Sequence, residues 1–287
     1  ATASSPSTRC PCRPTRAAVS QLFAHLDYEA LGPVYCYEGG DEFWQAKRGP
    51  CERLGNRIAR ALYDRLDPHG RSLYVGAGVA ELPPLLMETL DLRREVVPYN
   101  LRRTEVAAIN RACRSLPVRF HSLDAAKAKG RFDHLWMVSV LNDPERFPHL
   151  APLSYGTADP VTFDPRQFEQ QRRIVRSIVD RVMPKLSLPG LVTTSTEEVV
   201  WIADWCHRKN IPYLVEREQF PTALVGDPVG LVGSMVSNPN RLIVLAVGLL
   251  TILLLWVAVV LGTHALSLIH ISEPTRRTPI SYAVFCL

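Results

Sequence analysis

Apolar and polar positions follow two periodicities along this chain, and their alternation predicts strands and helices in turn. Apolar runs of strand length occur at residues 73–75, 95–97, 118–123, 132–141, 191–194, 213–215 and 223–225. Apolar residues at helical spacing occur between most of these runs, at residues 83–90, 105–116, 168–183 and 197–209. Strands that alternate with helices indicate a parallel sheet covered on both faces by right-handed crossovers. We therefore predict a doubly wound α/β fold with about seven mostly parallel strands.

The composition outside these runs divides the chain further. Residues 1–18 are rich in Ser, Thr, Pro and Arg, and we expect a disordered arm there. Residues 19–70 have mostly helical periodicity, interrupted at Gly49-Pro50, and predict helices that cover one face of the sheet. The α/β domain is then expected at residues 71–229, and a linker at residues 230–241.

A long apolar stretch occupies residues 242–262, which contain no charged side chain. About 21 residues in a helix span the hydrocarbon core of a bilayer, so the stretch predicts one transmembrane helix that anchors a cytoplasmic domain. Residues 263–287 form the tail, and residues 267–287 resemble translated sequencing-adapter read-through, which indicates an artefact. Two interpretations of the apolar stretch stay open: a true tail anchor, or a separate membrane protein joined through a frameshift.

One stretch stands out as candidate chemistry, because residues 73–84 read LYVGAGVAELPP. A short strand leads to Gly76 and Gly78, and two prolines fit the first turn of a helix. Such a turn lies where ligands bind parallel sheets, beside the free N–H groups of the helix. A dinucleotide motif would need glycine where Glu81 stands. A carboxylate repels pyrophosphate and suits a cationic amino-acid end, as in S-adenosylmethionine; a glycine turn without a ligand is the alternative.

The same residues resemble the cofactor turn of class I S-adenosylmethionine-dependent methyltransferases, and the element order over about residues 43–229 is similar to that family. The turn at residues 188–192 (LPGLV) and the apolar strand after Phe132-Asp133 add to the resemblance. It implies a Rossmann-like fold and methyl transfer to an acceptor that the sequence does not identify. It also implies cofactor-binding roles for six residues. Gly76, Ala77, Gly78 and Glu81 belong to the turn, Asn100 follows the second strand, and Asp124 follows the third.

Three positions depart from the family pattern. Tyr74 stands where the family often has an acid, Ala80 replaces the third glycine, and Asn100 replaces the acid that holds the ribose. Asn100 can still hydrogen-bond a diol, but each bond is about half as strong without the charge. The departures leave a second hypothesis open: a non-catalytic, membrane-tethered binding module with a decayed cofactor site. A nicotinamide-dependent oxidoreductase is a third hypothesis, which Glu81 disfavours.

Charge and cysteine content bear on nucleic-acid binding, on the cellular compartment and on metal sites. The net charge is only +5, without a run of five Lys or Arg, so the chain has no electrostatic footprint for nucleic acid. Seven scattered cysteines without a C-x-x-C pair favour a reducing compartment and predict no metal site. Residues 143–166 contain five prolines and little periodicity, and we expect a lid over an acceptor. No catalytic residue is predicted, because methyl transfer depends mainly on positioning.

Overall fold

The computed structural model of the chain describes residues 13–35, 40–159, 161–221 and 228–234. Its helices are α1 (Arg13–His25), α2 (Tyr28–Tyr35), α3 (Gly40–Tyr63), α4 (Leu82–Leu90), α5 (Arg103–Ala112), α6 (Ala151–Ser154), α7 (Pro165–Val182) and α8 (Val199–Arg208). Its strands are β1 (Arg71–Val75), β2 (Glu95–Tyr99), β3 (Phe132–Met137), β4 (Leu186–Ser195), β5 (Tyr213–Phe220) and β6 (Val229–Ser234).

The six strands form one sheet in the order β2-β1-β3-β4-β6-β5. The first four of these pair in parallel, and β6 runs antiparallel to both β4 and β5. Side chains alternate along β1, so that Leu73 and Tyr74 face opposite sides and both are fully buried. Helices cover both faces, which confirms the predicted α/β class and the mostly parallel sheet.

The strand predicted at residues 118–123 is wrong. The described backbone there forms a single parallel bridge, between Tyr99 and His121. His121 makes both bonds of this bridge, since its N–H donates to the Pro98 carbonyl (2.9 Å) and its carbonyl accepts the Asn100 N–H (3.0 Å). The backbone of Phe120 points to the other side, where the Asn110 amide donates to its carbonyl (3.0 Å) and the Asn110 oxygen accepts its N–H (2.8 Å).

The closing hairpin also differs from the prediction. The strand expected at residues 223–225 lies outside the described residues, whereas β6 occupies positions that we had assigned to a linker. It pairs with β4 from Val229 opposite Ser195 to Ser234 opposite Gly190. Val229, Leu231 and Val232 are buried. The strand was missed because Gly230 and Gly233 interrupt its apolar pattern.

Two helices run beyond their predicted limits. Helix α1 begins at Arg13, inside the predicted disordered arm, and its residues Val19 and Leu22 are buried. Helix α3 continues through Gly49-Pro50, where an interruption was expected. Cys51 and Ile58 of α3 are buried in the same core. Tertiary packing therefore outweighs the local helix-breaking signal in α3.

The segment predicted as a lid, residues 143–166, has regular structure in its described part. It contains α6, whose Ala151 is buried, and Phe147 and Leu150 are buried in the core on the α7 side of the sheet. These residues anchor the segment by burial of apolar surface.

The membrane prediction falls outside the described part of the chain, since residues 242–262 and 263–287 both lie beyond it. Among the described residues, no helix is both long enough and apolar enough to cross a membrane.

Candidate functional site

The glycine turn, residues 76–78, follows β1 at the carboxyl edge of the parallel strands. Gly76 has φ +70°, a left-handed conformation that side chains disfavour. A Cβ atom at Gly76 would lie 2.7 Å from Cγ2 of Val140, so the loop after β3 approaches the turn closely. Ala77 donates its N–H to the Tyr99 carbonyl (3.0 Å), which ties the turn to the end of β2. Glycine is thus required at position 76 for both conformation and space.

Substitution of Gly76 by alanine is expected to lower the free energy of unfolding by about 1–2 kcal/mol through the left-handed backbone, plus the cost of displacing Val140. Gly156→Ala is the matched control, because Gly156 has φ +67° and open space around its Cβ position. Urea unfolding of both variants measures the difference. Equal losses would contradict the close approach of Val140, whereas partial recovery in a Gly76→Ala, Val140→Ala double variant would support it.

Glu81 turns its side chain back onto the glycine turn. It closes a short 3₁₀ turn, Val79–Glu81, and its Oε2 accepts the Gly78 N–H at 2.7 Å. Burial raises the pKa of Glu81 to about 7, the hydrogen bond from Gly78 opposes this rise, and the nearby charge of Glu105 adds to it. The predicted residue therefore lies at the turn as a carboxyl group that exchanges its proton near neutral pH.

Asn100 follows β2 and is buried, as expected for a residue that faces the turn. Its Nδ2 donates to the Ala77 carbonyl (2.8 Å) and to Oε2 of Glu105 (2.9 Å), and its Oδ1 accepts the Arg102 N–H (2.8 Å). The amide predicted to bind a ribose is thus engaged with protein groups.

Glu105 was missed by the sequence analysis. It lies in the first turn of α5 and is only 1% exposed. An acid therefore lies five positions beyond Asn100 and accepts a hydrogen bond from the Asn100 amide (2.9 Å). The available signal was an acidic residue in the first turn of the helix directly after a strand.

Asp124 is directed elsewhere. It caps a short 3₁₀ turn, Ala125–Lys127, by accepting the Ala126 N–H (2.8 Å), and it pairs with Nη1 of Arg181 (2.8 Å). Burial alone would raise the pKa of Asp124, but the bonds from Ala126 and Arg181 lower it below its usual range. Arg181 lies in the last turn of α7, which leads into the start of β4 at the opposite edge of the sheet. The structure thus brings Gly76, Ala77, Gly78, Glu81 and Asn100 together, and pairs Asp124 with Arg181.

Charged side chains connect the loops on either side of the glycine turn. Arg102, after β2, lies 2.9 Å from Oε2 of Glu145 and 3.8 Å from Oδ2 of Asp143, both after β3. Because β1 lies between β2 and β3, these ion pairs connect the loops that follow the two neighbours of β1. Within the described ranges, no cluster of three or more His, Cys, Asp or Glu side chains could hold a metal ion.

No model of a protein family matches the chain, and no curated protein sequence matches it. Solved structures similar to it include magnesium protoporphyrin IX methyltransferase from Synechocystis PCC 6803 with bound SAM, at 9% identity over 82% of this chain and 100% of that one, with a TM-score of 0.45. A SAM-dependent O-methyltransferase from Thermotoga maritima shares 11% identity over 65% of this chain and 66% of its own, with a TM-score of 0.41.

A methyltransferase from Pyrococcus furiosus shares 15% identity over 62% of this chain and 82% of its own, with a TM-score of 0.39. Scores below 0.5 at such identities say nothing about the ligand of this chain. Its function is therefore argued from its own residues.

Proposed function

We propose that the protein binds S-adenosylmethionine at the glycine turn and transfers its methyl group to an acceptor. One observation carries the proposal: two carboxyl groups, Glu81 and Glu105, lie at a turn where the N–H groups of Ala77 and Gly78 are already used. Oε2 of Glu81 accepts the Gly78 N–H, and the Tyr99 carbonyl accepts the Ala77 N–H. Acceptor groups surround the turn, which favours a cationic ligand over an anionic one.

The hydrogen-bonding inventory weighs against a dinucleotide. A pyrophosphate binds at a glycine turn through backbone N–H groups at the start of the helix. Two such groups are engaged here, and a carboxylate lies within 2.7 Å of one of them. The nicotinamide hypothesis therefore has no supporting contact among the described residues of the turn.

The roles of the residues follow from this arrangement. Glu81 would hold the ammonium of the amino-acid end, and the Asn100–Glu105 pair would accept hydrogen bonds from ribose hydroxyls. The bound cofactor supplies an electrophilic methyl group, and the protein has to align an acceptor with it. The loop after β3 contacts the turn through Val140 and would present that acceptor.

A second candidate is a binding module of the same fold that holds no cofactor. Three contacts favour it: the Asn100 amide is engaged with protein groups, the Glu81 carboxylate bonds back to Gly78, and Val140 lies against Gly76. A ligand would have to replace or share these contacts.

Isothermal calorimetry of the full chain with S-adenosylhomocysteine separates the two candidates. We expect saturable binding that weakens at least tenfold in Glu105→Gln, because the substitution removes a buried charge beside the turn. Glu169→Gln, on the exposed face of α7, is the control and should bind as the wild type does. Absence of binding at millimolar ligand would overturn the proposal, and tight binding of NADH would favour an oxidoreductase.

A further inference from the structure

Glu198 is a fully buried carboxylate between β4 and α8 that the proposed function does not yet use. It accepts consecutive backbone N–H groups from the loop after β3: Ser139 (3.0 Å), Val140 (2.5 Å) and Leu141. The Thr194 hydroxyl donates to the same carboxylate at 3.1 Å. One side chain thus satisfies an entire segment of loop backbone.

The loop conformation fits this arrangement. Ser139 has φ +54°, a left-handed conformation that is unfavourable for a residue other than glycine. A left-handed residue inside such a loop turns successive N–H groups toward a common point and creates a concave anion site. Glu198 fills that site from within the chain. Burial raises the pKa of Glu198, although the bonds from Leu141 and Ser195 favour its ionised form.

Capping alone does not explain the contacts. Glu198 also caps the short 3₁₀ turn Thr196–Glu198, with the Ser195 N–H at 3.4 Å from its Oε2. A residue that served only as a cap would bond within its own turn. The three loop amides lie 57 to 59 positions away in the chain.

We infer that Glu198 is a positioning residue, which sets how closely the loop after β3 approaches the glycine turn. The connection is contiguous: Glu198 holds the backbone of Val140, and the Val140 side chain faces Gly76. Its consequence for ligand affinity rests on the proposed function. The gap between Val140 and Gly76 determines the space available to a bound cofactor and to the acceptor beside it.

Hydrogen exchange of the full chain tests the contact itself. We expect the amides of Ser139, Val140 and Leu141 to exchange slowly in the wild type. Ser139 bonds one carboxylate oxygen and the other two amides bond the second oxygen, so in Glu198→Gln the amides that face the NH2 group, which cannot accept, should exchange at least tenfold faster. Glu197→Gln, at the adjacent and partly exposed position, is the matched control and should leave these rates unchanged. Wild-type exchange as fast as at exposed Lys129 would overturn the inference without any variant.

Binding of S-adenosylhomocysteine tests the consequence. We expect Glu198→Gln to speed ligand dissociation at least tenfold, and Glu198→Asp, which keeps the charge, to recover part of the loss. The melting temperature of each variant is measured alongside, because a merely structural role would lower it while leaving the dissociation rate from the folded protein unchanged. If the wild type does not bind the ligand, the proposed function fails, but hydrogen exchange still tests whether Glu198 holds the loop after β3. If the wild type binds and the variants bind equally, the inference fails and the proposed function stands.

Discussion

Replacement of Arg94 by methionine is expected to lower the free energy of unfolding by about 3–5 kcal/mol, because it leaves a buried carboxylate without its cation. The Arg94 side chain is fully buried. Its Nε donates to Oε2 of Glu88 at 3.1 Å, its guanidinium also bonds Ser72, and it pairs with Asp133. Guanidinium chloride unfolding, followed by circular dichroism, measures the loss.

The surroundings of Glu88 explain why the cost should be large. Tyr74 donates its hydroxyl to Oε1 at 2.7 Å, and Nδ1 of His134 lies 2.9 Å from the same oxygen. Burial alone would raise the pKa of Glu88, but His134, Ser72 and Tyr74 lower it below its usual range. Glu88 therefore stays ionised at neutral pH, and Arg94 is the buried side chain beside it whose positive charge does not depend on pH.

Two further variants make this prediction falsifiable. Arg172→Met is the control, since Arg172 pairs with Glu169 on the exposed face of α7 and its loss should leave the unfolding midpoint unchanged. A Glu88→Gln, Arg94→Met double variant should be more stable than Arg94→Met alone, because both charges are removed together. A double variant at least as unstable as Arg94→Met would contradict an uncompensated charge as the cause.

The same network shows what the sequence could not reveal about Tyr74. A tyrosine at this position was read as a departure from the acid that the methyltransferase family often has there. In the structure, the Tyr74 ring instead stacks on Trp136, with centroids 5.1 Å apart, and its hydroxyl bonds Glu88. Tyr74 therefore belongs to a buried hydrogen-bonded network. Its partners Glu88 and Trp136 lie 14 and 62 positions away in the chain, so the local sequence does not reveal this role.

The order of elements was predictable, because it depends on local periodicity and on glycine and proline at the turns. The errors arose where distant contacts decide. Asn110, ten positions away, binds the backbone of residues 118–123 on the side away from β2, and pairing with β4 turns the glycine-containing segment at residues 229–234 into a strand. Core packing of α1 and α3 overrides a disorder-like composition and a proline. None of these contacts leaves a periodic signal in the sequence.

The candidate site divides in the same way. The glycine turn and Glu81 were predictable, because their geometry is set within six residues of chain. Glu105 and Glu198 were not, since their roles depend on Asn100 and on a loop almost 60 positions away. Asp124 matched a motif position, yet its partner is Arg181. Motif spacing therefore located the turn but not the groups that complete it.

Glu81 should make the stability of the fold depend on pH. Its pKa of about 7, against a usual 4.5, means that the folded protein holds this proton more tightly than the unfolded chain. The contribution to stability is therefore complete below about pH 4.5 and is lost as the pH rises through about 7. For a partly exposed group, we expect a loss of about 1–3 kcal/mol.

Glu81→Gln isolates this contribution, because the amide carbonyl can still accept the Gly78 N–H while the ionisation is gone. The difference in unfolding free energy between variant and wild type should shift in favour of the variant from pH 5 to pH 8. Glu169→Gln is the control, because Arg172 and, to a smaller extent, Arg173 hold the pKa of Glu169 below its usual range. The difference in unfolding free energy between this variant and the wild type should therefore stay constant from pH 5 to pH 8. Parallel pH profiles for Glu81→Gln and the wild type would contradict the shifted pKa.

The same proton links Glu81 to ligand binding. A cation beside Glu81 favours the ionised carboxylate, so affinity for S-adenosylhomocysteine should rise with pH from about 5.5 to 7.5, by less than tenfold per unit. Calorimetry in buffers of different ionisation enthalpy should detect proton release on binding, and Glu81→Gln should abolish both effects. Affinity that is independent of pH in the wild type would place the cationic end of the ligand away from Glu81, and the charge argument for the glycine turn would then fail.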